Sequence, residues 1–380
     1  MNDQIQVYRE LQKHIDKMPV GFPPTKSGVE IRILKHLFTP EEARIALNLS
    51  ALPESLERIH RRAAKSGLSI KELEKALDRL VEKGAIMGGK PLSKGRKGKY
   101  YSKAQLAIGM FEFQVNRLTP EFARDFYQYL DEAFGQAVHS KKTSQMRTIP
   151  INRSVTPDHH IGNYDDAKQL ITNSNGPFAV INCVCRQSKD LLGEPCKLSD
   201  IRETCIVIKD FAEVVVENGT GRGITKQETL QLLDRAENVG MVLQPENNQN
   251  PSFLCCCCGC CCGVLTSVKK FPRPSEYFHS NFFAEVDSDL CQACETCLER
   301  CQMGAISLID NVARVDRDRC IGCGLCVTTC EANALQLNKE IDETVPPKDH
   351  DYLYKKIMME RLGPWGMAKM LANMSLGRQI

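Results

Sequence analysis

The sequence lacks most of the features that assign a protein quickly. It has no run of about 18 apolar residues, and its densest apolar stretch, Phe253 to Leu265, is too short to cross a bilayer. Membrane insertion is therefore not expected. Met1 to Gly21 carries charges throughout and has no apolar signal segment. A charge excess is missing too: the net charge of +3 argues against a strongly basic nucleic-acid binder or an acidic tail. Neither a P-loop nor a dinucleotide fingerprint is present. Gly219-Thr220-Gly221-Arg222-Gly223 fits neither pattern and reads as a tight turn. No nicotinamide or flavin site is expected, so hydride chemistry would belong to a partner.

What the chain has is cysteine, 19 in 380 residues. In a small secreted protein that number would signal disulfides; without an apolar leader the reducing cytosol is the expected address. Oxygen attacks exposed thiolates, so the cysteine load fits a cytoplasmic protein of an anaerobe. Eight of the 19 spell one pattern twice, Cys-x2-Cys-x2-Cys-x3-Cys. They are Cys291, Cys294, Cys297 and Cys301, then Cys320, Cys323, Cys326 and Cys330, offset by 29 residues. Four thiolates cap the four irons of a cubane, and three at every third position of one loop can wrap three corners. Zinc sites typically use two separated pairs, which this spacing does not offer. Ala293, Gly322 and Gly324 are small where the backbone must approach sulfur. The repeat extends beyond the ligands, since Gly304-Ala305-Ile306-Ser307-Leu308 matches Asn333-Ala334-Leu335-Gln336-Leu337.

This region, about 280–340, closely resembles the bacterial two-cluster ferredoxins. The resemblance implies a βαββαβ fold and two [4Fe-4S] clusters, with the last cysteine of each run serving the other cluster. Cys291, Cys294, Cys297 and Cys330 would hold one cluster, and Cys320, Cys323, Cys326 and Cys301 the second. The chain departs from that family after each fourth cysteine, where the customary proline is Gln302 in one half and Glu331 in the other. Ligation should survive, whereas water access and potential should change, Glu331 disfavouring reduction. The two clusters are therefore expected to be inequivalent.

Eleven cysteines remain: Cys183, Cys185, Cys196 and Cys205, and seven between Cys255 and Cys262. Buried core thiols, strained vicinal disulfides, zinc and a dithiol relay are all readings of this surplus. One or more further iron–sulfur clusters is expected. Its ligand candidates are Cys183, Cys185, Cys196, Cys205, Cys255, Cys257, Cys258, Cys260, Cys261 and Cys262. An extended Cys183-Val184-Cys185 would set two sulfurs on one face about 6.6 Å apart, at a rise of about 3.3 Å per residue. Arg186 beside them can balance thiolate charge. The Cys-Cys-Cys-Gly ending is similar to the cysteine-rich modules of heterodisulfide reductases, although their wider cysteine spacing is not reproduced.

Outside the cysteine regions the pattern is helical. A polar leader, 1–27, ends in Phe22-Pro23-Pro24. Thr39-Pro40-Glu41-Glu42 opens a helix with a cap, a first-position proline and acids at its positive end. Ser69 caps another, with Ile70, Leu73, Leu77, Leu80 and Val81 on one side and Lys83-Gly84 closing it. A hairpin reaching Tyr100-Tyr101 follows. Residues 28–139 resemble a winged helix-turn-helix domain with a helical extension. The extension's Phe111, Phe113, Phe122, Phe126, Tyr127, Tyr129 and Phe134 read as core or a dimer contact. Lys90, Lys94, Arg96, Lys97, Lys99 and Lys103 give the hairpin a phosphate-contacting look. The candidate recognition helix is charge-balanced from Lys71 to Lys83, so DNA is a partner considered but not favoured. Beyond the polar stretch from Ser140 to Arg153, the domain at about 150–270 should contain strands at Phe178–Ile181 and Cys205–Ile208. Its helix 226–239 should begin with a Thr225–Glu228 capping box. His159-His160 is a weak ligand pair. The tail, 345–380, reads as one or two amphipathic helices through Leu353, Ile357, Met358, Leu362 and Met367 to Met374.

The expected fold class is multidomain α+β. It comprises a helical winged-helix-like N-terminal domain, a cysteine-rich α/β middle domain, a ferredoxin-type domain and a helical tail. As an ensemble the chain is similar to multi-cluster ferredoxin-type proteins of anaerobic bacteria. The resulting expectation is an electron-transfer component of an oxidoreductase that relays single electrons to a redox partner protein. Two alternatives stand beside it: a redox-sensing winged-helix regulator, and a reductase with its active site in the middle domain. Homo-oligomerisation is left open.

Overall fold

The computed structural model describes residues 2–90, 98–140, 142–155, 162–278, 280–375 and 379. It contains two compact units, Met1–Lys141 with Ile357–Ile380, and Lys142–Lys356. Both mix helices with small sheets, as the α+β expectation requires.

The first unit begins with α1 (Asn2–Ile15), which the sequence reading passes over as a polar leader. Val7, Tyr8, Leu11 and Ile15 form one buried stripe along it, and the Tyr8 hydroxyl donates to the Phe38 carbonyl at 2.8 Å. Next come α2 (Val29–Leu37) and α3 (Pro40–Ala46), the latter opened by a complete Thr39–Glu42 capping box. β1 (Glu54–Ser55), α4 (Leu56–Arg62), α5 (Ile70–Glu82), β2 (Ile86–Lys90) and β3 (Tyr100–Lys103) follow. Ser69 and Glu72 cap α5 reciprocally, and Leu73, Ala76, Leu77 and Leu80 bury its apolar face. The strands form an antiparallel sheet in the order β1-β3-β2. In α6 (Pro120–Tyr129) and α7 (Gly135–His139) the aromatics are core: Phe111 stacks on Phe126, and Tyr129 packs between Phe22 and Phe134.

The second unit is built on a five-stranded sheet. Its elements are α8 (Ala167–Asn173), β4 (Phe178–Asn182), α9 (Val184–Leu191), β5 (Glu203–Ile208), α10 (Asp210–Glu217), β6 (Gly221–Ile224), α11 (Lys226–Val239), β7 (Val242–Pro245), β8 (Phe253–Cys257) and α12 (Gly263–Val268). The strand order is β6-β4-β5-β8-β7 and every pairing is antiparallel, so this region is α+β and not a parallel α/β layer. Strand alternation divides the faces. Phe178, Ile206, Ile208, Leu254, Cys256 and Leu243 join the hydrocarbon core with α8 and α11. Cys205, Cys255 and Cys257 fall on the opposite parity, with Cys205 directly across from Cys255 and Cys257 still packed against the margin of that core.

β9 (Phe282–Val286), α13 (Thr296–Arg300), β10 (Ile306–Ile309), β11 (Val312–Val315) and β12 (Leu335–Lys339) complete the second unit's strands. β9 pairs with β12 and β10 with β11, both antiparallel. The second helix expected of this repeat is reduced to a 3-10 turn at Val327–Thr329. Met303, Ala305, Ile321 and Leu325 belong to the same core as the five-stranded sheet. A final helix, α14 (His350–Ser375), is bent at Gly363-Pro364; Leu353, Ile357, Met358 and Met367 are buried, whereas Leu362 and Trp365 are exposed. No helix among the described residues is long and apolar enough to cross a membrane.

Candidate metal centres

The doubled cysteine pattern folds around two cavities. Cys291, Cys294, Cys297 and Cys330 line the first, and Cys301, Cys320, Cys323 and Cys326 the second, so each run lends its last cysteine to the other cavity. The backbone repeats with the sequence. Ala293 and Gly322, Glu295 and Gly324, and Gly304 and Asn333 are pairs separated by the repeat length, and all six have positive φ. On the kinked inner loop the Gly322 and Leu325 amides hydrogen-bond Cys320 and Cys323, and strand amides add to them. The Ala284 amide donates to Cys320 Sγ and the Ala313 amide to Cys291 Sγ, each at 3.4 Å, and these two alanines are themselves equivalent in the repeat. The Ala305 amide reaches Cys301 Sγ at 3.2 Å. Such donors ease the negative charge of a thiolate-bound cluster, and Ala284, Ile306, Val315 and Leu325 give the second cavity apolar walls. Four thiols around a cavity with inward amides suit a cubane.

The two cavities differ in setting. From Gln292 to Thr296 the first loop is mostly exposed, while the equivalent Ile321 to Leu325 is almost wholly buried. Burial pushes the Cys323 thiol up to about 12, whereas hydrogen bonds with Thr296 lower that of its exposed counterpart, Cys294.

Six of the other cysteines form a closed ring of sulfur contacts. Cys183 touches Cys185 and Cys205; Cys205 and Cys255 sulfurs lie 3.9 Å apart; Cys255 contacts Cys257, Cys257 contacts Cys262, and Cys262 returns to Cys185. Proton affinity alternates around it. Hydrogen bonds accepted from neighbours lower Cys183, Cys262 and Cys255, the last to about 6, and the same bonds raise the donors between them, Cys185, Cys205 and Cys257.

Cys196, Cys258, Cys260 and Cys261 make a separate, tighter group whose sulfurs all lie within 4.8 Å of one another. Arg186 is fully buried and interacts with both sets. Burial works against its charge, but the charges of Cys183 and Cys258, with a hydrogen bond donated to Cys196, hold its pKa above the ordinary arginine value. Cys256 joins neither set. It packs in the hydrocarbon core, where burial raises its pKa.

Several local expectations change. Cys183-Val184-Cys185 is not extended: α9 starts at Val184, and that turn from strand into helix brings the two sulfurs into contact instead of holding them about 6.6 Å apart. Thr225 accepts from the Glu228 amide, but the Glu228 carboxylate pairs with Arg222 at 2.7 Å, leaving the capping box half made. Gly221 to Gly223, read as part of a turn, belongs to β6 and pairs with β4. The hairpin's basic character also shrinks. Lys103 is buried and donates to the His14 carbonyl, and Lys99 is bound by Glu74 and Asp78. Lys94, Arg96, Lys97 and the His159-His160 pair lie outside the described residues.

One contact escaped the sequence reading. Gln302, where the ferredoxin pattern has proline, accepts a hydrogen bond from the Gly259 amide at 2.8 Å through its side chain. A Cβ on Gly259 would meet the Gln302 carbonyl oxygen at 2.1 Å, so only glycine allows this approach. The departure from the family pattern was visible; its partner, 43 residues away, was not.

A repeat that gathers cysteines in fours beneath inward-pointing amides defines an iron–sulfur protein of the electron-transfer class. Residues 312–335, which include Cys320, Cys323, Cys326 and Cys330, match the family model of a 4Fe-4S binding domain, which implies at least one such cluster. No curated protein and no solved structure matches the chain.

Proposed function

We propose that this chain is an electron relay with two [4Fe-4S] clusters, one on Cys291, Cys294, Cys297 and Cys330 and the other on Cys320, Cys323, Cys326 and Cys301. A further iron–sulfur centre sits on the ring of Cys183, Cys185, Cys205, Cys255, Cys257 and Cys262. The observation that carries the reading is the exchange of the fourth cysteine between the two cavities. Bound there, such clusters supply one-electron couples. The chain's own residues order the route. Gln292 to Thr296 leave the outer centre open to a redox partner protein, whereas Met303, Ile321 and Leu325 seal the inner one against the core that also holds Cys257 and Cys262. Arg186 offsets thiolate charge beside the ring. The order β1-β3-β2, with α4 and α5 before the hairpin, supports a winged-helix-like first unit. The buried Lys103 and the neutralised Lys99 favour a protein-contact role for it over DNA binding.

Iron and sulfide counts on anaerobically purified chain, with electron paramagnetic resonance after reduction, test the assignment. Two cubanes account for about eight irons and eight sulfides, and the ring adds more of both. Cys294→Ser and Cys323→Ser should each remove a different paramagnetic signal, and Cys205→Ser should remove neither while lowering the iron count. Two cubanes with no further sulfide would limit the relay to the ferredoxin repeat. Fewer than about eight sulfides would sink the two-cluster reading.

A further inference from the structure

The tight group of Cys196, Cys258, Cys260 and Cys261 differs in kind from the other thiol sets. Its sulfur separations include 3.6 Å for Cys196–Cys258, 3.7 Å for Cys196–Cys260 and 3.6 Å for Cys260–Cys261. A tetrahedral ion with metal–sulfur bonds of about 2.3 Å holds its four ligands about 3.8 Å apart. A cubane places a separate iron under each thiolate, so its ligands stand wider by the spacing of the irons. Among the described residues this is the one group in which three or more potential ligand atoms lie so close together. The ferredoxin cysteines instead surround cavities, and each ring thiol pairs with two other ring thiols. Disulfides are ruled out at these separations, since an S–S bond measures about 2.05 Å.

The surroundings suit a divalent ion. Four thiolates around it leave a net charge of about −2. Arg186 hydrogen-bonds Cys196 and faces Cys258, and Lys269 faces Cys260 and Cys258. Cys258 and Cys261 are buried, while Cys196 and Cys260 are partly exposed, which leaves a way in from the surface. Gly259, between two of the four cysteines, is pinned at both backbone ends. Its amide donates to Gln302 Oε1, and its carbonyl accepts from Lys269 Nζ at 2.9 Å. Gln302 directly follows Cys301.

We propose that Cys196, Cys258, Cys260 and Cys261 bind a single tetrahedral, thiophilic divalent ion, zinc or ferrous iron. This site is separate from the iron–sulfur centres and ties the loop after α9 to the loop after β8 beside the inner ferredoxin cavity. All four positions are filled by protein, so a zinc ion there is a brace and catalyses nothing. A ferrous ion on the same four ligands would add a one-electron site.

The full chain, purified anaerobically, is analysed for zinc, iron and sulfide together. The expected wild type carries about one metal ion per chain beyond the iron that its sulfide accounts for. Cys196→Ser and Cys260→Ser should each lose that ion with sulfide unchanged; loss of zinc or of iron tells the two sources apart. Cys260→His, which keeps a four-ligand set, should retain it. Loss of iron and sulfide in equal numbers would overturn the proposal in favour of a cluster, and an unchanged metal content would show that no ion binds. Should the serine variants not fold, X-ray absorption on the wild type decides. At the zinc edge, sulfur at about 2.3 Å with no metal neighbour is expected, and a metal–metal distance at that edge would overturn the proposal. Cobalt(II), added to metal-stripped chain, gives the tetrahedral tetrathiolate spectrum as a second readout. A chain with the ion but little sulfide would refute the relay and leave this site standing.

Discussion

The two halves of the ferredoxin repeat share one backbone path and have opposite environments. In the ligand loop of the outer half, Gln292 to Thr296, the positive-φ positions are Ala293 and Glu295, residues that pay for that conformation with strain. In the equivalent inner loop, Ile321 to Leu325, they are Gly322 and Gly324. The reason is proximity: a Cβ on Gly322 would meet the Phe282 carbonyl oxygen at 2.0 Å, and one on Gly324 would meet Ser154 Oγ at 2.0 Å. The outer loop faces solvent, so its side chains have room. One ligand pattern has thus been adapted to a surface and to an interior, and glycine marks which is which.

Adding a methyl group to each half is the strongest way to break this symmetry. Gly322→Ala must accept both left-handed strain and a clash with backbone, a cost of about 2–5 kcal/mol. Ala293→Gly, its outer counterpart, relieves strain and adds chain entropy, so it should change stability by about 1 kcal/mol or less. Anaerobic denaturant titrations followed by cluster absorbance would compare them. Equal losses in the two variants would show that burial does not separate the halves.

Weaker, but more specific, is the contact that ties the inner half to the cysteine-rich loop. Gln302→Ala leaves the Gly259 amide without its side-chain acceptor and should cost about 1–2 kcal/mol. Glu331→Ala, at the equivalent position of the outer half, removes an exposed side chain and should shift stability by less than about 0.5 kcal/mol. The same titrations read both. If Gln302→Ala were as silent as Glu331→Ala, the docking role of Gln302 would be lost.

What the sequence discloses follows the range of the interactions. The ferredoxin repeat is legible because its ligands are local and duplicated, and the equivalence of Ala284 and Ala313 as amide donors lies in the same offset. Helix caps at Thr39 and Ser69 are equally local. The sulfur ring was legible only as a surplus: Cys183, Cys205 and Cys262 come from different elements, and only strand register puts Cys205 across from Cys255. Strand parity does separate Cys256 from Cys255 and Cys257. The stripe of Val7, Tyr8, Leu11 and Ile15 was present in the sequence, but charges between its members made α1 read as a leader. Lys103 reads as a surface cation because nothing local reveals that it is buried against His14.

Charge offers the finest comparison of the two halves. A unit charge ~8 Å from a centre, at an effective dielectric of ~20, shifts a one-electron potential by about 90 mV. Glu331 is exposed, and at physiological salt the screening length is about 8 Å, so Glu331→Gln should raise the outer potential by only a few tens of mV. Added salt should shrink that shift further. Gln302→Glu places the same charge at a half-buried inner position while keeping an acceptor for Gly259, so it should lower the inner potential by more, with less dependence on salt. Redox titrations of each paramagnetic signal at two ionic strengths measure both. Equal shifts with equal salt dependence would mean that the two centres see the same solvent, and that the difference between the loops does not reach their chemistry.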